Sequence, residues 1–138
     1  TTSEAIKMPR VGAGALILNE KNEILLMKRK KDPEAGCWSI PGGRVDFLEQ
    51  IEETVRREIR EELGFESEII LLLGITDHII PEKKTHWVSP CYLMRITKGV
   101  PRNVEPDKHV QIKWFSLYRL PENLAIPAKN AVRLYLKK

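Results

Sequence analysis

The chain has 138 residues, 42% of them hydrophobic and 30% charged, which suits one globular domain spanning 1–138 with a buried core and leaves no room for two. Twenty-three Lys and Arg against nineteen Asp and Glu give a net charge of +4, a mildly basic balance that helps to recruit polyanions. Two cysteines, Cys37 and Cys91, exclude a disulfide framework, no apolar run reaches a membrane-spanning length, and the first ten residues hold no secretory core, so a cytoplasmic location without membrane contact is predicted.

Residues 11–18 and 23–27 are rich in aliphatic side chains and flank Asn19-Glu20-Lys21-Asn22, which predicts two strands joined as a hairpin. The run Lys28-Arg29-Lys30-Lys31 follows, either as a solvated strand end or as a phosphate-facing patch. It lacks the interleaved aromatics of a single-stranded nucleic-acid platform, so a small phosphorylated substrate is expected ahead of RNA. Trp38-Ser39-Ile40 predicts a short strand running into Pro41-Gly42-Gly43, a turn whose paired glycines let the backbone come close to a metal or phosphate. Asp46-Phe47-Leu48-Glu49 has the form of a capping box, so a helix is predicted to begin near Phe47 and to end at Gly64, a left-handed C-terminal position. Residues 67–76, 87–97 and 110–115 then predict three strands. Pro127 suits the first turn of a C-terminal helix with Ala128, Ala131, Val132 and Tyr135 facing inward. The order ββ(β)αβββα predicts a mixed sheet with helices on both faces, an α/β/α arrangement.

The predicted helix carries the chemistry. Glu58, Glu61 and Glu62 are spaced i, i+3 and i+4 and share one arc of about 100°. Charged pairs at i, i+4 (Glu52 with Arg56, Glu53 with Arg57, Arg57 with Glu61) would suffice for a solvated, salt-bridged helix. The apolar stripe Ile51, Val55, Ile59, Leu63 argues for more, because it sets Glu58 and Glu62 at the edge of the buried face, where an unneutralised charge is costly. Hard carboxylate oxygens converging in this way favour Mg²⁺ or Mn²⁺, completed by waters and substrate phosphate oxygens.

The segment from Gly43 to Phe65 reads G-x5-E-x7-R-E-U-x-E-E-x-G-U, with U a bulky apolar residue, and every specified position is filled. This pattern resembles the signature of the Nudix hydrolases. Pro9-Arg10-Val11, Leu25-Leu26, the segment from Asn103 to Lys108, Trp114 and Leu120-Pro121 look like the small MutT-like branch that hydrolyses nucleoside triphosphates. The resemblance implies a Nudix-type α/β/α sandwich and hydrolysis of a nucleoside 5′-triphosphate, including oxidised or modified dNTPs, to the monophosphate and pyrophosphate. Mg²⁺ is the implied cofactor, with Mn²⁺ as a substitute. The same resemblance implies Glu58, Glu61 and Glu62 as metal ligands, with Glu58 or Glu61 as proton acceptor. It implies a Gly42 carbonyl and Glu105 as further ligands, Arg57 as the residue that orients the acidic cluster, and Glu49 as support for the loop. Arg10, Gly12, Gly14, Arg29, Gly43, His86 and Trp87 are the candidates for contact with substrate, the two first-strand glycines because they are small enough to admit a ring. A homodimer is expected from the branch alone.

Two places depart from the branch pattern: Leu48-Glu49-Gln50 stands where many members have Gly-Glu-Ser or Gly-Glu-Thr, and Ala125-Ile126-Pro127-Ala128 replaces aromatic residues that hold the base in some members. Pro81, sixteen residues beyond Phe65, is similar to a marker of ADP-ribose hydrolases, which makes ADP-ribose the rival substrate. A catalytically silent nucleotide-binding module is the reading from a different class, and the intact Glu58, Glu61 and Glu62 argue against it.

Overall fold

Strand β1 (Arg10–Ile17) holds the run Ala13-Gly14-Ala15-Leu16-Ile17, and β2 (Glu23–Arg29) holds Ile24-Leu25-Leu26-Met27; both runs are buried from end to end. A strand apolar on both faces must be covered on both faces. The structure, a computed structural model that describes residues 7–138, covers them with two helices. Ala13, Ala15, Ile17, Leu25 and Met27 pack with Val55, Ile59 and Leu63 of helix α1 (Ile51–Leu63). Their alternating neighbours Leu16, Ile24 and Leu26 pack with Ala128, Ala131 and Val132 of helix α2 (Ile126–Leu136). The result is the expected α/β/α sandwich. Truncating a fully buried aliphatic side chain in such a core costs about 2–5 kcal/mol.

The remaining strands are β3 (Trp38–Ser39), β4 (Gly42–Arg44), β5 (Glu66–Ile80), β6 (Thr85–Lys98) and β7 (His109–Ser116). They form two sheets rather than one, in the orders β4-β1-β6-β5 and β3-β2-β7. The first is mixed, since β1 runs parallel to β6 and antiparallel to β4. The expected hairpin of β1 and β2 is therefore corrected to a turn between sheets: the strands share one bridge, Leu18 with Ile24, and then part. The turn itself forms, with the Asn19 side-chain oxygen accepting the N–H groups of Lys21 and Glu23. β5 and β6 are longer than expected, paired along their length and joined by a 3₁₀ turn at Pro81–Lys83. No helix among the described residues is long and apolar enough to cross a membrane.

Helix α1 starts at Ile51, four residues later than the capping-box pattern predicts. Leu48 adopts φ 70°, a left-handed conformation that cannot propagate into a helix, and Glu49 N–H closes a turn on the Asp46 carbonyl at 2.9 Å. The left-handed residue is the one that stands in place of the usual glycine, so this chain keeps the turn at the cost of strain in an exposed leucine. Half of the box survives, because the Glu49 carboxylate accepts the Asp46 N–H at 3.1 Å. At the other end Gly64, at φ 73°, donates its N–H to the carbonyls of Ile59 and Arg60 and ends the helix where predicted.

Candidate active site

Helix α1 and strand β4 meet along the acidic face. The Gly42 N–H donates to Glu62 Oε1 at 3.0 Å, and a Cβ placed on Gly43 would lie 1.9 Å from Glu58 Oε2. Only a residue without a side chain lets β4 come this close to Glu58. The segment after β6 closes the far side, where Val104 N–H bonds the Glu62 carbonyl at 3.1 Å and brings Glu105 up to the cluster.

Arg57 organises the face from outside. Its Nε and Nη2 bond both oxygens of Glu49 at 2.8 and 3.0 Å, and its Nη1 bonds Glu61 at 3.0 Å. The expected pairs Glu52 with Arg56 and Glu53 with Arg57 do not form; Arg56 bonds Glu53 and Arg57 turns to Glu49. A two-pronged guanidinium–carboxylate contact fixes orientation as well as charge. The Arg57 hydrogen bonds, with those from Thr54 and the Asp46 N–H, hold the Glu49 carboxyl down at about 2.

The inner carboxylates behave in the opposite way. Burial, opposed by Arg57 and reinforced by Glu61 and Glu105, pushes Glu58 up to about 7. Burial and the neighbouring Glu58 push Glu62 well above the usual carboxylate range. His109 Nε2 sits 3.9 Å from Glu62 Oε2 but does not neutralise it, since burial lowers this imidazole to about 4 and keeps it uncharged at neutral pH. Among the described residues its Nδ1 is buried without a partner. Buried, hard-oxygen acids short of positive charge suit a divalent cation. The set is open, since no three acidic, imidazole or thiol groups converge as a finished ligand cage among the described residues. Mg²⁺ commonly takes one or two carboxylates and completes its shell with waters and phosphate oxygens.

On the other side of β4, a cavity of about 260 Å³ opens on the α2 face. Of the candidates for substrate contact, Gly12, Gly14, Arg29, Gly43 and Trp87 line it, and Gly42 and Gly43 join it to the acidic cluster. Arg10 and His86 lie elsewhere, in a larger basic groove that shares only Trp87 and Pro33 with the cavity. Arg10 stacks its guanidinium 5.7 Å from the centre of the Trp87 ring. Where the sequence replaces the aromatics near its end, Pro127 lines the cavity instead.

Three further side chains, not singled out by the sequence analysis, belong to the site: Glu34 and His78 line the cavity, and His109 sits beside Glu62. The signal was available in part, because the chain has only three histidines and the one singled out, His86, is exposed at the groove. Glu34 gave no signal, since its place depends on contacts with residues 44 and 92 positions away.

The model of the NUDIX domain matches residues 8–135. The chain belongs to the Nudix family. It is a hydrolase of diphosphate linkages, and Nudix hydrolases generally use divalent metal ions. A MutT Nudix hydrolase from Burkholderia pseudomallei superposes with a TM-score of 0.88 at 49% identity, covering 92% of this chain and 98% of that one. An ADP-ribose pyrophosphatase from Methanocaldococcus jannaschii is 32% identical over 88% of this chain and 70% of its own length. A putative 8-oxo-dGTP diphosphatase from Bacillus subtilis is 36% identical over 80% of this chain and 68% of its own length. Against longer relatives, mouse 8-oxo-dGDP phosphatase among them, the Nudix chain spans about a third of the length.

The raised Glu58 carboxyl gives an expected pH dependence for the metal-free Nudix protein. Because its folded value of about 7 exceeds the ordinary 4.5, the unfolded chain loses this proton first, so Glu58 lowers stability progressively from about pH 4.5 to about 7 and by a constant amount above. His109 acts oppositely below pH 6.5, where the unfolded imidazole takes up its proton first. The difference in thermal midpoint between wild type and Glu58→Gln isolates the first effect. It should move against the wild type as pH rises from 5 to 8; a difference independent of pH would refute the assignment.

Proposed function

We propose that this chain acts as a single catalytic domain that hydrolyses nucleoside 5′-triphosphates, oxidised or modified dNTPs among them, to the monophosphate and pyrophosphate, with Mg²⁺ as cation and Mn²⁺ as substitute. The observation that carries the reading is the junction at Gly42 and Gly43. These two residues touch the Glu58–Glu62 face on one side and line a ring-sized cavity on the other, so one ligand can place phosphates at the first and a base in the second. At about 260 Å³ the cavity falls below the roughly 300–1,000 Å³ of pockets for drug-sized ligands, which suits one heterocycle.

Glu58, Glu61, Glu62 and Glu105, with the Gly42 carbonyl, would hold the cation. When bound, it would polarise phosphoryl oxygens and acidify a water. The protein's own groups account for the remaining requirements. Glu58, poised near neutrality, can accept a proton from an attacking water at working pH. Glu61 shares that role as an alternative acceptor, while Arg57 holds Glu49 and Glu61 in place and acts as a positioning residue. Arg29, in the cavity wall, would meet negative charge on the substrate.

The ADP-ribose reading keeps one observation in its favour. Pro81 opens the 3₁₀ turn and lines the basic groove beside the cavity, where Lys83, Lys84 and Arg10 could take a longer anionic ligand. The products separate the two. A dNTP should give pyrophosphate and the nucleoside monophosphate with kcat/KM at least about tenfold above ADP-ribose, or about 1.4 kcal/mol in transition-state binding. An equal margin for ADP-ribose, with AMP and ribose 5-phosphate as products, would overturn the proposal.

The two unpaired cysteines support a cytoplasmic setting. A homodimer is supported by edge strand β5, which exposes Ile70, Leu72, Ile75 and Ile79. Sedimentation at micromolar concentration should show twice the 15.9 kDa chain mass, and a species at the chain mass alone would refute the dimer.

A further inference from the structure

Beyond the cavity lies a basic groove of about 720 Å³ that no step of triphosphate hydrolysis uses. Strand register fixes where it stands. On β1, Gly14 is level with Gly42 of β4 and Cys91 of β6, whereas Arg10 is level with Trp87, which in turn pairs with His78 of β5. Four residues of strand, about 13 Å, separate the two rows. The groove begins at the second row, where it shares Trp87 and Pro33 with the cavity, and continues along Lys7, Lys83 and Lys84. A triphosphate with its phosphates at Glu58 and Glu62 and its ring in the cavity therefore has no charged group left to reach the groove.

Its charge has one sign. Lys7 and Arg10 stand on one wall, Lys83 and Lys84 on the other, and no Asp or Glu among the described residues lines it. Asp32 pairs with Lys83 at 3.3 Å, but both side chains are exposed and water screens the contact. The walls belong to β1 and to the turn between β5 and β6, with β6 between them, so their backbones stand two strand spacings apart, or about 10 Å. A single phosphate reaches one wall, whereas a chain of phosphates reaches both. Arg10 rests over the Trp87 ring, 5.7 Å from its centre, and a guanidinium bonds a phosphate more strongly than it holds an exposed aromatic face. We propose that the groove is an accessory binding site for an inorganic oligophosphate, the class to which the pyrophosphate released by triphosphate hydrolysis belongs, and that its occupant draws Arg10 off Trp87. Because Trp87 belongs to both walls, the cavity feels the groove being filled. The inference rests on the triphosphate reading for one point, that the substrate's own phosphates lie at the acidic face.

The test is titration of pyrophosphate into the full chain in chelator at low ionic strength, followed by calorimetry and by tryptophan emission. Without a cation the acidic face repels the probe, which leaves the groove to bind it. Trp38 and Trp114 pack in the two cores, so a change in emission reports Trp87. Wild type should bind saturably, at least about tenfold tighter than it binds orthophosphate, with a change in emission. Arg10→Gln and Lys84→Gln should each weaken binding by about fivefold or more, whereas Arg133→Gln, which removes the same charge from the exposed face of α2, should change it by less than about twofold. No saturable binding, or an equal loss with Arg133→Gln, would overturn the proposal. So would binding that leaves the emission unchanged, or that only Arg29→Gln in the cavity wall weakens. Turnover of dNTPs with Mg²⁺, measured separately, keeps the two readings apart: turnover without pyrophosphate binding in chelator removes the groove site alone, and binding without turnover leaves the site and removes the hydrolysis reading.

Discussion

Glu62→Gln is expected to lower kcat by at least about a hundredfold while leaving the metal-free protein as stable as wild type or more so. The two effects have one origin. Glu62 is buried beside Glu58 with a neutral His109 as neighbour, so its negative charge is a liability until a cation arrives. Glutamine keeps the side-chain shape and an oxygen for the Gly42 N–H, now at 3.0 Å, but removes the charge. Turnover at saturating Mg²⁺ and thermal unfolding in chelator measure the two halves separately. Near wild-type turnover would sink the assignment of Glu62 as a ligand. Glu58→Gln and Glu61→Gln should also be severe, and a flattened pH–rate profile in one of them would identify the proton acceptor.

Adjacent glycines should fail in different ways. At Gly43 an added Cβ would meet Glu58 at Oε2, Cδ and Cγ, within 1.9, 2.3 and 2.9 Å. The end of a flexible side chain can swing aside at little cost in stability, but then the carboxylate leaves its place. Gly43→Ala should therefore cost about a hundredfold in kcat with a nearly unchanged thermal midpoint. At Gly42 the added Cβ would meet the Ala13 carbonyl oxygen at 2.2 Å, and backbone in the middle of a paired β1–β4 register cannot swing aside. Gly42→Ala should destabilise the fold by about 2–4 kcal/mol. Unfolding and turnover measured on both variants test the contrast, and it is lost if Gly43→Ala keeps wild-type activity or Gly42→Ala keeps wild-type stability.

How far the fold could be read beforehand follows from the range of the interactions. The stripe Ile51, Val55, Ile59, Leu63 and the stop at Gly64 are local, and both appear as expected. The start of α1 was misplaced because Asp46 and Glu49 satisfy each other within a turn, a competition that the capping-box pattern cannot reveal. Two sheets in place of one escaped notice for a similar reason. The turn at Asn19–Asn22 is encoded locally, whereas the partners of β2 lie in β3 and β7. Within the site, periodicity set Glu58 and Glu62 at the edge of the buried face, and the structure finds both largely buried. Arg57 was legible as an ion-pair former, but its main partner, Glu49, stands eight residues away across the helix start. Composition marks His78 and His109 only as two of three histidines, and it does not mark Glu34; tertiary contacts alone bring Glu34 and His78 to the cavity wall and His109 beside Glu62.

Binding of Mn²⁺ to wild type and to Glu62→Gln, followed by loss of the free-ion paramagnetic signal at pH 8, tests the central claim most directly. The account predicts saturable binding by the wild type, at least about tenfold weaker binding by Glu62→Gln, and wild-type affinity that falls as pH drops below about 7, where Glu58 holds its proton. Equal affinity in the two proteins, or no saturable binding by either, would contradict a metal site on the acidic face of α1.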